Sequence, residues 1–134
     1  MQDRPRVQEL LRAVRDFLED DVVPVLDGPR RYHALVAANV LAIAERELEG
    51  EDASLVAEWH RLAALLGDDA GVPPLGLEAL RAAVREQTSL LADRIRRGDA
   101  DRGAFRDAVR AHVRETVREK LRVANPRFLR SAPS

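Results

Sequence analysis

Histidines, carboxylates and serines are the side chains of this sequence that could do chemistry, and their spacing argues against it. His33, His60 and His112 are the only histidines among 134 residues. A carboxylate-bridged di-metal bundle sets Glu-x-x-His on one helix face, but the residues three before these histidines are Arg30, Ala57 and Val109. No His-Glu-x-x-His occurs. Asp99-Ala100-Asp101-Arg102-Gly103 resembles the start of a calcium loop, yet the positions that need glycine and a bidentate glutamate hold Ala104 and Arg110. The segment therefore reads as a turn between helices. Glycine-rich phosphate loops are absent, and Ser54, Ser89, Ser131 and Ser134 have no nucleophile-elbow motif around them. Cysteine is absent too, which excludes disulfides, thiolate nucleophiles and Cys-ligated metals. The expectation is a protein that is not an enzyme and carries no cofactor and no metal.

What remains is charge. Net charge is −1, with 22 basic and 23 acidic residues, and Lys120 is the only lysine. The near-neutrality hides a polarity: residues 1–101 carry 13 basic and 20 acidic side chains, whereas residues 102–130 carry nine and three. Arg102, Arg106, Arg110, Arg114, Arg118 and Arg122 recur at every fourth position. Each four-residue step turns a helix by about 400°, so the row drifts slowly around its helix. Like charges so spaced repel by tenths of a kcal/mol, and something must compensate. The ordinary answer is internal: the basic helix packs beside acidic helices, its arginine stems lying over apolar surface. The sharper one is an acidic protein or the phosphates of a ligand, whose geometry arginine forks match. Nucleic acid is disfavoured, because the rest of the chain is acidic and poor in aromatics.

Helices must position these groups. Glycines 28, 50, 67, 98 and 103 fall between periodic apolar segments, where helices stop. The spacing predicts helices over residues 4–22, 30–49, 52–66, 77–97 and 103–124, a loop over 67–76, and a tail that is flexible from 130 to 134. Residues 32–44 are apolar on nearly every side, the mark of a buried helix. The expected fold is an all-α, single-domain bundle of five helices spanning 1–134, with a buried central second helix. Asn39 stands out there, because an unpaired amide in an apolar core is costly. It is either satisfied by a neighbouring helix or part of a groove for a ligand or partner. No signal peptide is evident, and the longest nearly apolar stretch (34–44) is far short of the ~20 residues a membrane span needs. The expected location is cytoplasmic.

Three stretches together carry a resemblance. They are Leu10-Leu11-Arg12-Ala13-Val14-Arg15-Asp16-Phe17-Leu18-Glu19, then Arg31-Tyr32-His33-Ala34-Leu35-Val36-Ala37-Ala38-Asn39 leading to Arg46-Glu47-Leu48, and Lys120-Leu121 with Asn125-Pro126-Arg127-Phe128-Leu129. The pattern resembles a family of short bacterial all-helical proteins of unknown function that accompany aminoglycoside-phosphotransferase-like kinases and acyl-CoA dehydrogenases. The resemblance implies a non-catalytic accessory subunit of such a kinase, acting on hydroxyacyl-CoA in acyl-CoA catabolism. It carries over no catalytic residue. The expected partner surface is His33, Asn39 and Arg46 on the second helix, with Arg127 and Phe128 after the Asn-Pro stop. Two alternatives stand beside it. One is a self-associating helical module, such as a homodimer built on small alanines and Leu/Val stripes. The other is a binder of CoA-type phosphates through Arg114 and Arg118.

Overall fold

The N-terminal helix opens where Glu9 reaches back and accepts a hydrogen bond from the Arg6 backbone N–H at 2.8 Å, satisfying one of the donors a helix start leaves free. In the computed structural model, which describes residues 4–68 and 71–131, this helix is α1, Val7–Phe17. A wide π turn, Leu18–Val22, and a 3₁₀ turn, Val23–Val25, follow it. Pro24 lacks the N–H that another helical turn would need. Then come α2 (Gly28–Leu66), α3 (Leu77–Arg96), α4 (Gly103–Ala124) and the short α5 (Pro126–Ser131). Among the described residues there is no strand, and the fold is all-α.

Five α-helices are found among the described residues, but they are not the five expected. Helices anticipated at 30–49 and 52–66 are one helix of 39 residues running through Gly50, whose backbone is not left-handed. An interior glycine costs only about 1 kcal/mol relative to alanine, and here no other turn residue joins it. By contrast, Gly67 (φ +77°) ends α2 and Gly98 (φ +89°) follows α3. In each case the next N–H closes back five residues, Asp68 to the Ala63 carbonyl and Asp99 to the Arg94 carbonyl, both at 3.1 Å. The fifth helix is α5, formed from the segment expected to be tail; residues 132–134 lie outside the described residues.

Contacts divide the chain into two compact units, Met1–Gly50 and Glu51–Ser134. In the first unit the buried side chains are small or polar: Val23, Ala34, Ala38 and Glu45. Glu45 is 4% exposed and is held by two arginines of α1. Arg12 Nε donates to Oε2 at 3.4 Å, and Arg15 Nε lies 3.4 Å from Oε1. Arg12 also reaches Glu49 at 3.3 Å. The second unit holds the larger apolar core, with Trp59 and Leu62 of α2, Leu80, Val84 and Leu91 of α3 and Val109 of α4. Arg94 spans its edge. Its guanidinium sits 4.0 Å from the Phe105 ring centroid, its Nη1 donates to the Leu65 carbonyl at 3.3 Å, and its Nε donates to Asp99 at 3.1 Å.

The second helix is not buried all round. Tyr32 is 65% exposed and Val40 56%, and Leu35, Val36 and Asn39 are exposed as well. Ala34 and Ala38, four apart, face inward with Glu45 instead. Between Tyr32 and Val40 the buried positions of α2 are alanines, and the large apolar side chains are exposed.

Candidate functional site

Three surfaces or clusters emerge from these elements. The first is the outward face of α2 within the first unit. Tyr32, Val36 and Val40 follow one another at four-residue steps, which places them in one slowly turning row. His33 and Asn39 border that row and both are exposed. The Tyr32 and His33 rings lie 5.9 Å apart at 56°. Asn39 therefore needs no buried partner, and the cost anticipated for its amide does not arise because water satisfies it. Arg46, further along α2, is half-buried and engaged within the chain. Of the expected partner surface, His33 and Asn39 share one exposed face, and Arg46 belongs to the same unit.

The second is α4. All six arginines of the row from Arg102 to Arg122 are exposed, and among the described residues none of them pairs with a carboxylate of another helix. Arg118 and Arg122 share one carboxylate of their own helix, Glu115, at 3.6 and 3.3 Å. Arg102, Arg106, Arg110 and Arg114 have no ion-pair partner among the described residues. Between them Val113 and Val117 are about half exposed, and Lys120 is exposed beyond them. The face combines cationic forks with apolar contact area, which suits an anionic ligand or an acidic protein surface. Arg127 and Phe128 stand apart on α5, both engaged within the chain. The Phe128 N–H donates to the Asn125 carbonyl at 3.1 Å, and the ring is 56% exposed.

The third was not legible in the sequence: a buried polar cluster in the second unit. Arg61 of α2 donates twice to Glu119 of α4, at 2.9 and 2.6 Å. His112 lies on the inward side of α4, 8% exposed. Burial, and the neighbouring Arg61 charge, push its pKa below the usual histidine value of 6.5, while Glu58 and Glu119 pull the other way. Its Nδ1, the Thr116 hydroxyl and the Arg61 Nε are buried without a hydrogen-bond partner among the described residues. The spacing of His112, Thr116 and Glu119 puts them on one helix side, but it gains meaning only when Arg61 of α2 packs against them. The other histidines are ordinary surface residues, His60 packing edge-on against Trp59 at 4.9 Å.

No group of three or more His, Asp or Glu side chains among the described residues could hold a metal. An open cleft of about 380 Å³ is lined by Arg6, Gln8, Glu9, Arg12, Leu48 and Glu49, where Arg12 pairs with Glu49 and Glu9 accepts from the Arg6 backbone N–H. No helix among the described residues is long and apolar enough to cross a membrane. No curated protein and no solved structure matches the chain significantly. Residues 24–128 match the family described as a domain of unknown function, DUF6285, a span that takes in α2, α3 and α4 and begins after α1. The chain belongs to this DUF6285 family.

Proposed function

We propose that the protein is a non-catalytic docking subunit, and that its partner is an aminoglycoside-phosphotransferase-like kinase acting on hydroxyacyl-CoA. The observation that carries the reading is the inverted face of α2, with Tyr32, Leu35, Val36 and Val40 turned outward and Ala34 and Ala38 inward. Large apolar side chains grouped on a surface mark an interaction site, and a Tyr with polar neighbours such as His33 and Asn39 is typical of an interface anchor. The face lies within the span shared with the family. Cytoplasmic residence is part of the same proposal, since the substrate class is intracellular.

Co-expression with a kinase of that class from the same genome tests it. The expected result is co-elution and a kinase more soluble or more active than when expressed alone. Val36→Glu with Val40→Glu should abolish co-elution while helix content is kept. A kinase equally soluble and active alone, with no co-elution, overturns the reading.

A second reading is favoured by Arg106, Arg110 and Arg114 of α4, which have no ion-pair partner among the described residues: this helix receives the phosphates of the CoA moiety. It predicts a calorimetric signal with CoA that weakens with salt and with Arg114→Ala. No heat and no thermal shift with CoA would exclude it.

A further inference from the structure

The helix that precedes the family span has a face of its own. None of the residues of α1 is buried. Val7, Leu10, Val14 and Phe17 are each between 51% and 59% exposed. Their spacing of three, four and three residues is that of a coiled-coil seam, which a facing helix must cover. An isolated helix of 11 residues is marginal in water, and beside this seam α1 and the turn after it gain mainly the half-buried Leu11 and Leu18 and the arginine contacts to Glu45.

Charge indicates what covers the seam. Arg4 and Arg6 stand before α1, and Glu19, Asp20 and Asp21 stand in the π turn after it, all of them exposed. The three carboxylates have no ion-pair partner among the described residues. At the carboxyl end of their own helix they are opposed by its dipole. The segment is thus positive at one end and negative at the other, with an apolar seam between. Such a segment is complementary to itself when reversed.

We infer that α1 is a self-association helix, which pairs antiparallel with α1 of a second copy across a two-fold axis. In that register Val7 meets Phe17 of the second copy, Leu10 meets its Val14, and Arg4 and Arg6 meet its acidic turn, each contact occurring twice. The acidic turns then lie beside the amino ends of the opposite helices, where negative charge is favoured. The four seam residues offer on the order of 400 Å² per copy, about half of what a standard interface buries, so the dimer is weak and reversible. This inference does not rest on the kinase reading, since α1 lies outside the α2 and α4 faces used there.

Sedimentation velocity of the full chain over a concentration series tests it. The expected behaviour is a monomer at low concentration and a dimer at high concentration, with the balance moving toward monomer as salt rises. Leu10→Glu with Val14→Glu should leave a monomer. A charge exchange fixes the orientation without touching apolar contacts. Arg4→Glu with Arg6→Glu should weaken self-association at least several-fold, and so should Asp20→Arg with Asp21→Arg in a separate chain. Mixing these two variants should restore a dimer containing one of each. A chain that stays monomeric at every concentration overturns the inference, as does a dimer indifferent to Leu10→Glu with Val14→Glu. Failure of the mixed variants to pair overturns the antiparallel arrangement and the inference with it. Circular dichroism of the charge variants, whose substituted side chains are all exposed, guards against loss of fold as the cause.

Discussion

Arg61 and Glu119 grip each other through both prongs of the guanidinium and both carboxylate oxygens, at 2.9 and 2.6 Å, beside a buried histidine. The pair joins α2 to α4 within the second unit, with polarity opposite to that of the surrounding surface. The acid comes from the arginine-rich helix and the base from α2. Forked pairs of this kind are geometrically demanding, and lysine does not reproduce them. Glu119→Ala is therefore expected to destabilise the protein by about 1–3 kcal/mol, because it leaves a partly buried guanidinium without its acceptors. Arg61→Lys should recover only part of the wild-type stability. Urea unfolding followed by circular dichroism reads both.

His112 makes stability depend on pH. Its folded pKa lies below the 6.5 of the unfolded chain, first because of burial and then because of Arg61. The unfolded state thus binds a proton that the folded state refuses. The contribution is fully present above pH 6.5 and is lost progressively as pH falls below it, until the folded pKa is reached. His112→Gln should flatten that part of the profile. The check is the urea midpoint of both proteins measured from pH 8 to pH 5.

In the first unit the test falls on Glu45. A carboxylate only 4% exposed, set between Arg12 and Arg15, is tolerable only while both cations stay. Removing the half-buried Arg15 (Arg15→Ala) should cost more than removing the more exposed Arg12 (Arg12→Ala). Hydrogen exchange of α1 amides should rise in the same order, since loss of either arginine loosens the contact of α1 with Glu45.

Two glycines should respond with opposite signs. A methyl group at Gly50 would meet nothing within 4 Å, and its backbone is not left-handed. Gly50→Ala should accordingly stabilise the protein by about 0.5–1 kcal/mol. Gly67 is equally open but has φ +77°, so Gly67→Ala should destabilise it. Thermal unfolding of the two variants reads the contrast directly.

These residues also mark how far the sequence is readable. Left-handed glycines at helix boundaries, such as Gly98 and Gly103, are legible, which is why the end of α3 and the start of α4 emerge almost unaided. Gly50 has the same side chain and no such role, and only the neighbouring residues decide between the two outcomes. The apolar run from Tyr32 to Ala44 implies burial on every side. Sequence says which residues are apolar but not which of them a neighbour covers, and here alanines take the inside. Asn39 stands out in the sequence on the premise of a buried amide, and it is exposed. His112 gives no hint in isolation, because Arg61 and Glu119 come to it only when α2 and α4 pack. The arginine row is legible in full, and the lack of ion-pair partners for Arg102, Arg106, Arg110 and Arg114 among the described residues is not.

Lys120 is the one lysine of the chain, and it stands exposed on α4 beyond Val113 and Val117. All of the protein's side-chain amine reactivity is thereby gathered at a single address. An amine-directed label or cross-linker will report on the surroundings of that helix and on no other lysine, and an acetyl group placed there would alter one charge of a row otherwise written in arginine, which such chemistry leaves untouched.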